Sequence, residues 1–348
     1  MNVKFRIRMA AAAGAALGLS LLAAPASADP VDPTTGAVEF RQVVGVGSDT
    51  TQDVVNGLGQ AIADPNNSPS PRLIASYNAT GTTPIKTRAV NCSIQRPSSS
   101  TAGIDALRAD LSALPGSATK NCIDFARSSR GPIDTSTNRL TWIPFARDAV
   151  TVAVRSDSAL NDGVGFSTIQ LRDIYRCIKT SHNGVPLTPL LPQAGSGTRT
   201  YFLDQIGVTG TELGACVGET AQPSDGTALD SAGDLAPYSI AQYIAQIGNV
   251  VPDRHGVTVL SRLNGVTPRI AGRLNAAFPF TRDVYNVVPT ARLSNGATPD
   301  ADLIRAFETI TIPNRTADVC TRQAFALIER FGFAAIANCG NAGLQGER

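Results

Sequence analysis

Residues 193–202 carry the side chains best suited to chemistry in this chain, in the order Gln-Ala-Gly-Ser-Gly-Thr-Arg-Thr-Tyr-Phe. An apolar run at residues 186–191 precedes them and a helical apolar pattern follows, which predicts a strand, a tight turn and a helix. Backbone N–H groups around Gly197, the hydroxyls of Ser196 and Thr198, and the positive end of the helix would then converge on one point. The pattern predicts an anion site, although an ordinary helix cap in a glycine turn has the same residues.

A second turn of the same kind occupies residues 43–52, Val-Val-Gly-Val-Gly-Ser-Asp-Thr-Thr-Gln. A β-branched run meets two glycines and then a helical pattern, and Asp49 and Gln52 have the spacing of a capping box. Two hydroxyl-rich helix starts could therefore face one ligand. The candidate ligands here are Ser48, Asp49, Thr50 and Thr51.

Two further polar turns also follow strand candidates. Residues 78–83 read Asn-Ala-Thr-Gly-Thr-Thr, and residues 127–132 read Arg-Ser-Ser-Arg-Gly-Pro, the most basic of the four turns. Ligands of α/β proteins bind beyond the carboxyl ends of strands, so we expect all four turns to face one ligand. The further candidates are Thr82, Arg127, Ser128, Ser129 and Arg199.

The elements that must position these turns alternate between strand and helix. Capping boxes at Ser167 with Gln170 and at Ser239 with Gln242 mark two helix starts, and a hydroxyl run at residues 98–101 precedes another. Alternation over about 310 residues predicts an α/β fold with mostly parallel sheets, and this length favours two domains. Three of the turns would belong to one sheet and the turn at residues 193–202 to the other.

The N-terminus has the pattern of a secretory signal peptide, residues 1–28. Three basic residues, Lys4, Arg6 and Arg8, precede an apolar run, and Ala-Ser-Ala at residues 26–28 fits signal-peptidase cleavage. The mature chain would then be exported, extracellular or periplasmic. No cysteine lies near the cleavage site and no later run is long enough to span a bilayer, so we expect no membrane anchor.

The charge balance excludes one class of partner. Removing the three basic residues of the signal peptide leaves 27 basic and 28 acidic residues, a net charge of −1. A chain this close to neutral has no electrostatic preference for nucleic acid. Two histidines and no Cys-x-x-Cys argue against a zinc site, and no cofactor motif is present.

Six cysteines in an exported chain predict disulfide bonds. Fifteen pairings are possible, and we favour the three that join sequence neighbours because each closes a loop within one structural segment. The predicted pairs are Cys92 with Cys122, Cys177 with Cys216, and Cys320 with Cys339.

The order of the turns resembles the phosphate-binding protein of ABC transporters and, more broadly, type 2 periplasmic binding proteins. The matching segments are the first Gly-Ser/Thr turn, Tyr-Asn-Ala-Thr-Gly-Thr at 77–82, Asp-Phe-Ala-Arg-Ser-Ser at 124–129 and Ser-Gly-Thr-Arg at 196–199. The resemblance implies a two-lobed fold with a ligand cleft between the lobes and crossover strands at residues 143–145 and 278–280. It implies lobe 1 at 43–147 plus 286–348 and lobe 2 at 148–285. Residues 29–42 carry Pro30, Pro33 and Gly36, which indicate a mobile leader.

The same resemblance implies a monomer that captures phosphate, or a similar small oxyanion, and delivers it to an ABC-transporter permease. The family's hydroxyl ligands fall on the first turn, on Thr82 and on residues 196–198. Two family residues are absent, because its aspartate falls on Ser129 and its second-lobe arginine on Pro192. Arg127, Arg130 or Arg199 would have to supply the charge, and without an acid in the pocket the rejection of sulfate should weaken.

Two other functions fit parts of the sequence. A secreted serine hydrolase would need His255 as its base, but Gly-x-Ser-x-Gly is absent, which disfavours an enzyme. A surface or matrix protein of the same fold, without small-ligand transport, is the closer alternative. Saturable binding of a small anion would distinguish it from a solute-binding protein.

Overall fold

The computed structural model describes residues 29–32, 34–312 and 314–348, so the predicted signal peptide lies outside the described residues. The strands are β1 (Val43–Gly47), β2 (Ile74–Ser76), β3 (Ile85–Lys86), β4 (Ser93–Ile94), β5 (Phe125–Ser128), β6 (Leu140–Arg155), β7 (Ser181–His182), β8 (Val185–Pro186), β9 (Thr188–Pro192), β10 (Gly218–Ala221), β11 (Asp234–Ser239), β12 (Thr258–Leu260), β13 (Arg269–Ile270), β14 (Arg273–Leu274) and β15 (Thr281–Pro289). The helices are α1 (Gln52–Ala61), α2 (Ser100–Ser112), α3 (Thr168–Tyr175), α4 (Gly197–Ile206), α5 (Ile240–Ile247), α6 (Ala301–Phe307) and α7 (Arg322–Arg330).

Nine strands form one continuous mixed sheet, in the order β10-β9-β11-β6-β15-β5-β1-β2, with β12 also paired to β6. One end holds the parallel strands β5, β1 and β2, and the other holds the parallel strands β11, β9 and β10. Strand β6 joins the ends, because it pairs with β15 along Leu140–Ala149 and with β11 and β12 beyond Val150. We call the part around β1, β2 and β5 lobe 1 and the part around β9, β10 and β11 lobe 2. The predicted two-lobed α/β fold is confirmed.

Each lobe buries its own hydrophobic core. In lobe 1, one cluster surrounds Phe125 and Phe307, and a second surrounds Trp142. In lobe 2, the main cluster surrounds Tyr175 and Phe202, whose rings meet edge to face with centroids 5.0 Å apart. Separate cores leave the space between the lobes to polar residues.

The three predicted disulfide bonds are confirmed. Cys92–Cys122 lies in lobe 1, Cys177–Cys216 in lobe 2, and Cys320–Cys339 near the C-terminus. Each closes a loop of 19 to 39 residues within one structural segment. Such bonds stabilise a fold mainly by restricting the unfolded chain.

The segment expected to be a mobile leader, residues 29–42, ends in buried contacts. The Arg41 guanidinium donates to the carbonyls of Gly59 and Ile74 at 3.0 and 2.8 Å and pairs with Glu39 at 2.6 Å. Arg72 reaches the same carboxylate at 3.0 Å. Prolines and a glycine suggested a mobile segment, but the Arg41 side chain has partners on α1 and β2.

Among the described residues, no helix has the length and apolar character needed to cross a membrane.

Candidate functional site

The turn between β1 and α1 begins at a glycine where any side chain would be strained. Gly47 has φ of +113°, and a Cβ atom there would lie 2.8 Å from the Arg127 carbonyl oxygen and 3.2 Å from Gly103 Cα. Gly103 belongs to α2, so the two glycines let the end of β1 and the start of α2 pack closely.

Helix α1 begins later than the capping box at Asp49 and Gln52 requires, so that prediction is wrong. Thr51 is the N-cap and forms no side-chain capping bond, while the Gln52 side chain accepts a hydrogen bond from the Ala79 N–H at 2.9 Å. Asp49, free of a capping role, lines the cleft.

The start of α2 is a part of the site that sequence reasoning missed. Ser99 caps the helix by accepting from the Ala102 N–H, and the Ser100 Oγ accepts from the Ser129 N–H at 3.2 Å. Together with Ser98 these residues line the same small space as Ser48 and Thr50. The hydroxyl run at residues 98–101 was the available signal, since it precedes a helix as the other hydroxyl turns do.

Lobe 2 contributes the start of α4. Ser196 is the N-cap, its side chain accepting from the Arg199 N–H at 3.4 Å. A Cβ atom at Gly197 would lie 2.5 Å from the hydroxyls of both Ser100 and Ser129, so a glycine is required where α4 approaches lobe 1.

The two lobes touch across this space. The Thr50 and Thr198 hydroxyls are 3.0 Å apart, and the Thr101 N–H donates to the Gly195 carbonyl at 3.3 Å. Gln242 donates through its amide to the Thr50 carbonyl at 2.7 Å. Of the capping box predicted for Ser239 and Gln242, the bond from the Gln242 N–H to the Ser239 hydroxyl is present. The Gln242 side chain does not return to Ser239, because its amide reaches across the cleft. The space between the helix starts is too small to admit a water molecule.

Not every predicted ligand lies in this cluster. Thr82 is exposed, and its carbonyl accepts from Arg96 at 2.7 Å. The Ser128 hydroxyl is engaged within its own turn, donating to the Arg130 carbonyl at 2.8 Å. Ser129, in contrast, lines the small space beside Ser100.

The three arginines considered as charge donors have other partners. Arg127 is fully buried beneath the β1–α1 turn and donates to the carbonyls of Gly47 and Ser48 at 3.0 and 3.2 Å. Burial lowers its pKa to about 9. Arg130 lies over the Trp142 ring at 5.7 Å, and burial lowers its pKa to about 10. Arg199 forms an ion pair with Glu219 at 2.5 Å.

Arg282 is the guanidinium that reaches the hydroxyl cluster. It lies on β15, is 5% exposed, and donates to the Thr198 hydroxyl at 2.9 Å and to the Asp148 carboxylate at 2.7 Å. Its Nη1 is buried and has no hydrogen-bond partner among the described residues. Sequence reasoning could not find it, because residues 84 positions apart meet only when β15 passes behind α4.

An acid also enters the site. Asp49 lines the small space, where burial and then the nearby Asp53 raise its pKa to about 7. Ser129 is not an acid, and the carboxyl group that lines this space belongs to the first turn.

His255, the candidate base of a hydrolase, contacts Asp253 through Nδ1, and its ring meets that of Tyr243 edge to face. Among the described residues, no serine or threonine hydroxyl hydrogen-bonds with its ring. Nowhere in residues 29–32, 34–312 and 314–348 do three or more His, Cys, Asp and Glu side chains form a group that could hold a metal ion.

The fold is similar to that of two solved phosphate-transport proteins. One is a putative phosphate ABC transporter substrate-binding protein with bound phosphate from Clostridium perfringens (13% identity, TM-score 0.56, covering 85% of this chain and all of that one). The other is an ABC-type phosphate transport receptor from Vibrio cholerae (15% identity, TM-score 0.55, the same coverage). At these identities the likeness concerns the fold.

No curated protein matches the chain. A family model described as a PBP superfamily domain matches residues 28–308, most of the chain and all four polar turns. With a sheet shared by two lobes and a polar cleft between them, this chain belongs to the PBP superfamily.

Proposed function

We propose that this protein is a secreted solute-binding protein that captures a small oxyanion between its two lobes, and that this oxyanion is phosphate or a phosphate-like ligand. One observation carries the proposal: the starts of α1, α2 and α4, each rich in hydroxyls, converge on one point. The first N–H groups of a helix lack intrahelical partners, and the helix dipole places positive charge there. Three such ends on one point form an anion site.

The charge around this point favours phosphate over sulfate. Arg282 brings a buried positive charge to the Thr198 hydroxyl, and Asp49 brings a carboxyl group to the opposite side. An ionised carboxylate accepts the proton of monohydrogen phosphate and repels sulfate, which has none to donate. Weak discrimination was expected only if no acid entered the site, and Asp49 lines it, so we expect selectivity for phosphate over sulfate.

Ligand entry requires the hydroxyls of the cluster to separate. Lobe 1 at 43–147 plus 286–348 and lobe 2 at 148–285 would move about the crossovers near Pro144 and Pro279. The similarity to transport proteins supports an ABC-transporter permease as partner, and residues 1–28 support export.

Calorimetry of the mature protein against phosphate and sulfate tests the proposal. Ser196→Ala should weaken phosphate binding by roughly 1–3 kcal/mol, the value of a hydrogen bond to a charged group. Ser167→Ala is the matched control, because Ser167 caps α3 in the same way but lies outside the cleft. It should leave the phosphate affinity unchanged.

The alternative function is a surface or matrix protein of this fold. The direct contact between Thr50 and Thr198 favours it, because it closes the site with protein atoms. Absence of saturable binding to any of the anions would overturn the proposed function and leave this alternative.

A further inference from the structure

A larger cavity opens in the same cleft beside the oxyanion site. It measures about 300 Å³ and shares Asp49, Thr50 and Pro223 with the small space between the helix starts. Lobe 1 lines it with the first turn of α1 and the loop after β2, and lobe 2 lines it with α5 and the loop that contains Arg254. Inorganic phosphate alone would leave this volume to solvent.

Two carboxylates dominate the lobe 1 side of the cavity. Asp49 and Asp53 are four residues apart at the start of α1, and Asp53 is 9% exposed. Among the described residues, neither carboxylate forms an ion pair. Burial raises the pKa of both groups, and their mutual repulsion adds to the rise for Asp49. A cation placed between the two carboxylates would therefore stabilise their ionised forms.

The lobe 2 side supplies one positive charge and several amides. Arg254 lines the cavity, and its charge favours the ionised form of both aspartates. When both carboxylates are ionised, Asp49, Asp53 and Arg254 give the lining of the cavity a net charge of −1. The buried Arg127 lies outside the lining and also favours the ionised form of both aspartates. Gln242 and Asn78 add neutral hydrogen-bonding groups on either side. The lining is that of a site for a polar, positively charged group.

We propose that this cavity is a second ligand subsite that receives a protonated amine joined by a short linker to the oxyanion. The inference rests on the proposed function, because the oxyanion would occupy the hydroxyl cluster while the ammonium pairs with Asp53 and with Asp49. At Asp49 the ammonium takes the place of the proton that monohydrogen phosphate donates and a phosphate monoester lacks. The preferred ligand class is then a small phosphate or phosphonate ester that carries a primary amine.

The affinities of three ligands that share a phosphate group distinguish binding at the amine subsite from binding at the anion site. Inorganic phosphate, ethyl phosphate and O-phosphoethanolamine are titrated into the mature wild-type protein by calorimetry at pH 7.5 and low salt. O-phosphoethanolamine should bind at least tenfold more tightly than ethyl phosphate, because the two differ only in the ammonium group. This comparison needs no variant.

A pair of variants then locates the effect. Asp53→Asn should bring the ratio of the two affinities towards one, whereas Asp302→Asn should leave the ratio unchanged. Asp302 is the matched control, since it also lies in the first turn of a helix but not in the cleft. Circular dichroism establishes that both variants are folded.

Two outcomes overturn the inference, and they differ. Equal affinities for ethyl phosphate and O-phosphoethanolamine, with measurable phosphate binding, would exclude the amine subsite and leave the proposed function intact. Absence of binding by all three ligands would remove the proposed function and the subsite with it.

Discussion

Two buried arginines lie behind the candidate site, one in each half of the cleft, and they differ in what surrounds them. Arg127 donates to backbone carbonyls of its own turn and to the Ser76 hydroxyl at 2.9 Å. Arg282 pairs with Asp148 and also donates a hydrogen bond to the Thr198 hydroxyl. A guanidinium surrounded by carbonyls supports a turn, whereas one that keeps a free N–H beside a hydroxyl cluster can bind a ligand.

The Asp148 carboxylate explains why Arg282 is held so firmly. It is fully buried and accepts from the Ser239 hydroxyl at 2.9 Å and from the Ala241 N–H at 3.1 Å. The ion pair joins β6 and β15, the two strands nearest the middle of the sheet, to the starts of α4 and α5. Arg282 therefore couples the site to the strands between the lobes.

Replacing Arg127 with methionine should give the largest effect. The carbonyls of the β1–α1 turn would lose their donor, and the cost should be on the order of 3–5 kcal/mol in the free energy of unfolding. Urea denaturation at pH 7 measures it. Arg199→Met is the control and should cost less than about 1 kcal/mol, since Arg199 forms an ion pair with a half-exposed glutamate. Equal losses in the two variants would contradict a supporting role for Arg127.

Arg282→Lys tests the other side of the comparison. Lysine keeps the charge but has no counterpart of Nη1, the nitrogen of Arg282 that lacks a partner among the described residues and is free to bind a ligand. Phosphate affinity should therefore fall by about 1.5–3 kcal/mol, roughly tenfold or more. Calorimetry measures the change, with Arg199→Lys as the control. Wild-type affinity in Arg282→Lys would show that this arginine serves the fold alone.

The smallest expected effect is the change in sulfate affinity with pH that the titration of Asp49 should cause. With its pKa raised to about 7, the carboxyl is protonated at pH 6 and can donate to sulfate, and at pH 8 it is ionised and repels it. Sulfate does not titrate in this range, so its affinity should fall about tenfold from pH 6 to pH 8.

Asp49→Asn removes the titrating group and should make the sulfate affinity independent of pH over the same range. Calorimetry at pH 6, 7 and 8 on both proteins checks this. A wild-type sulfate affinity that does not change with pH would place Asp49 outside the anion site.

Much of the fold was predictable from the sequence. Alternating strands and helices gave the α/β class, and the spacing of the cysteines gave all three disulfide bonds. The capping box at Ser167 and Gln170 formed as predicted, because both partners lie in the same helix start. These features depend on residues near each other in the chain.

The site was only partly predictable. Hydroxyl turns at residues 48–51 and 196–198 were found from local pattern, and the structure brings Thr50 and Thr198 within 3.0 Å. Thr82 was chosen for its turn but is exposed, since that turn presents Asn78 and Gly81 to the cleft instead. The hydroxyl run at residues 98–101 was recognised only as a helix start.

By itself, the sequence determined which segments begin helices with hydroxyls and glycines, because capping and turn formation are local interactions. Only the tertiary structure decided which of those helix starts meet, and which arginine and which acid stand beside them. Arg282 reaches Thr198 through the pairing of β6 with β15, and Asp49 faces Arg254 across the cleft. Contacts of this kind depend on how the sheet brings distant segments together, and no spacing along the chain encodes them.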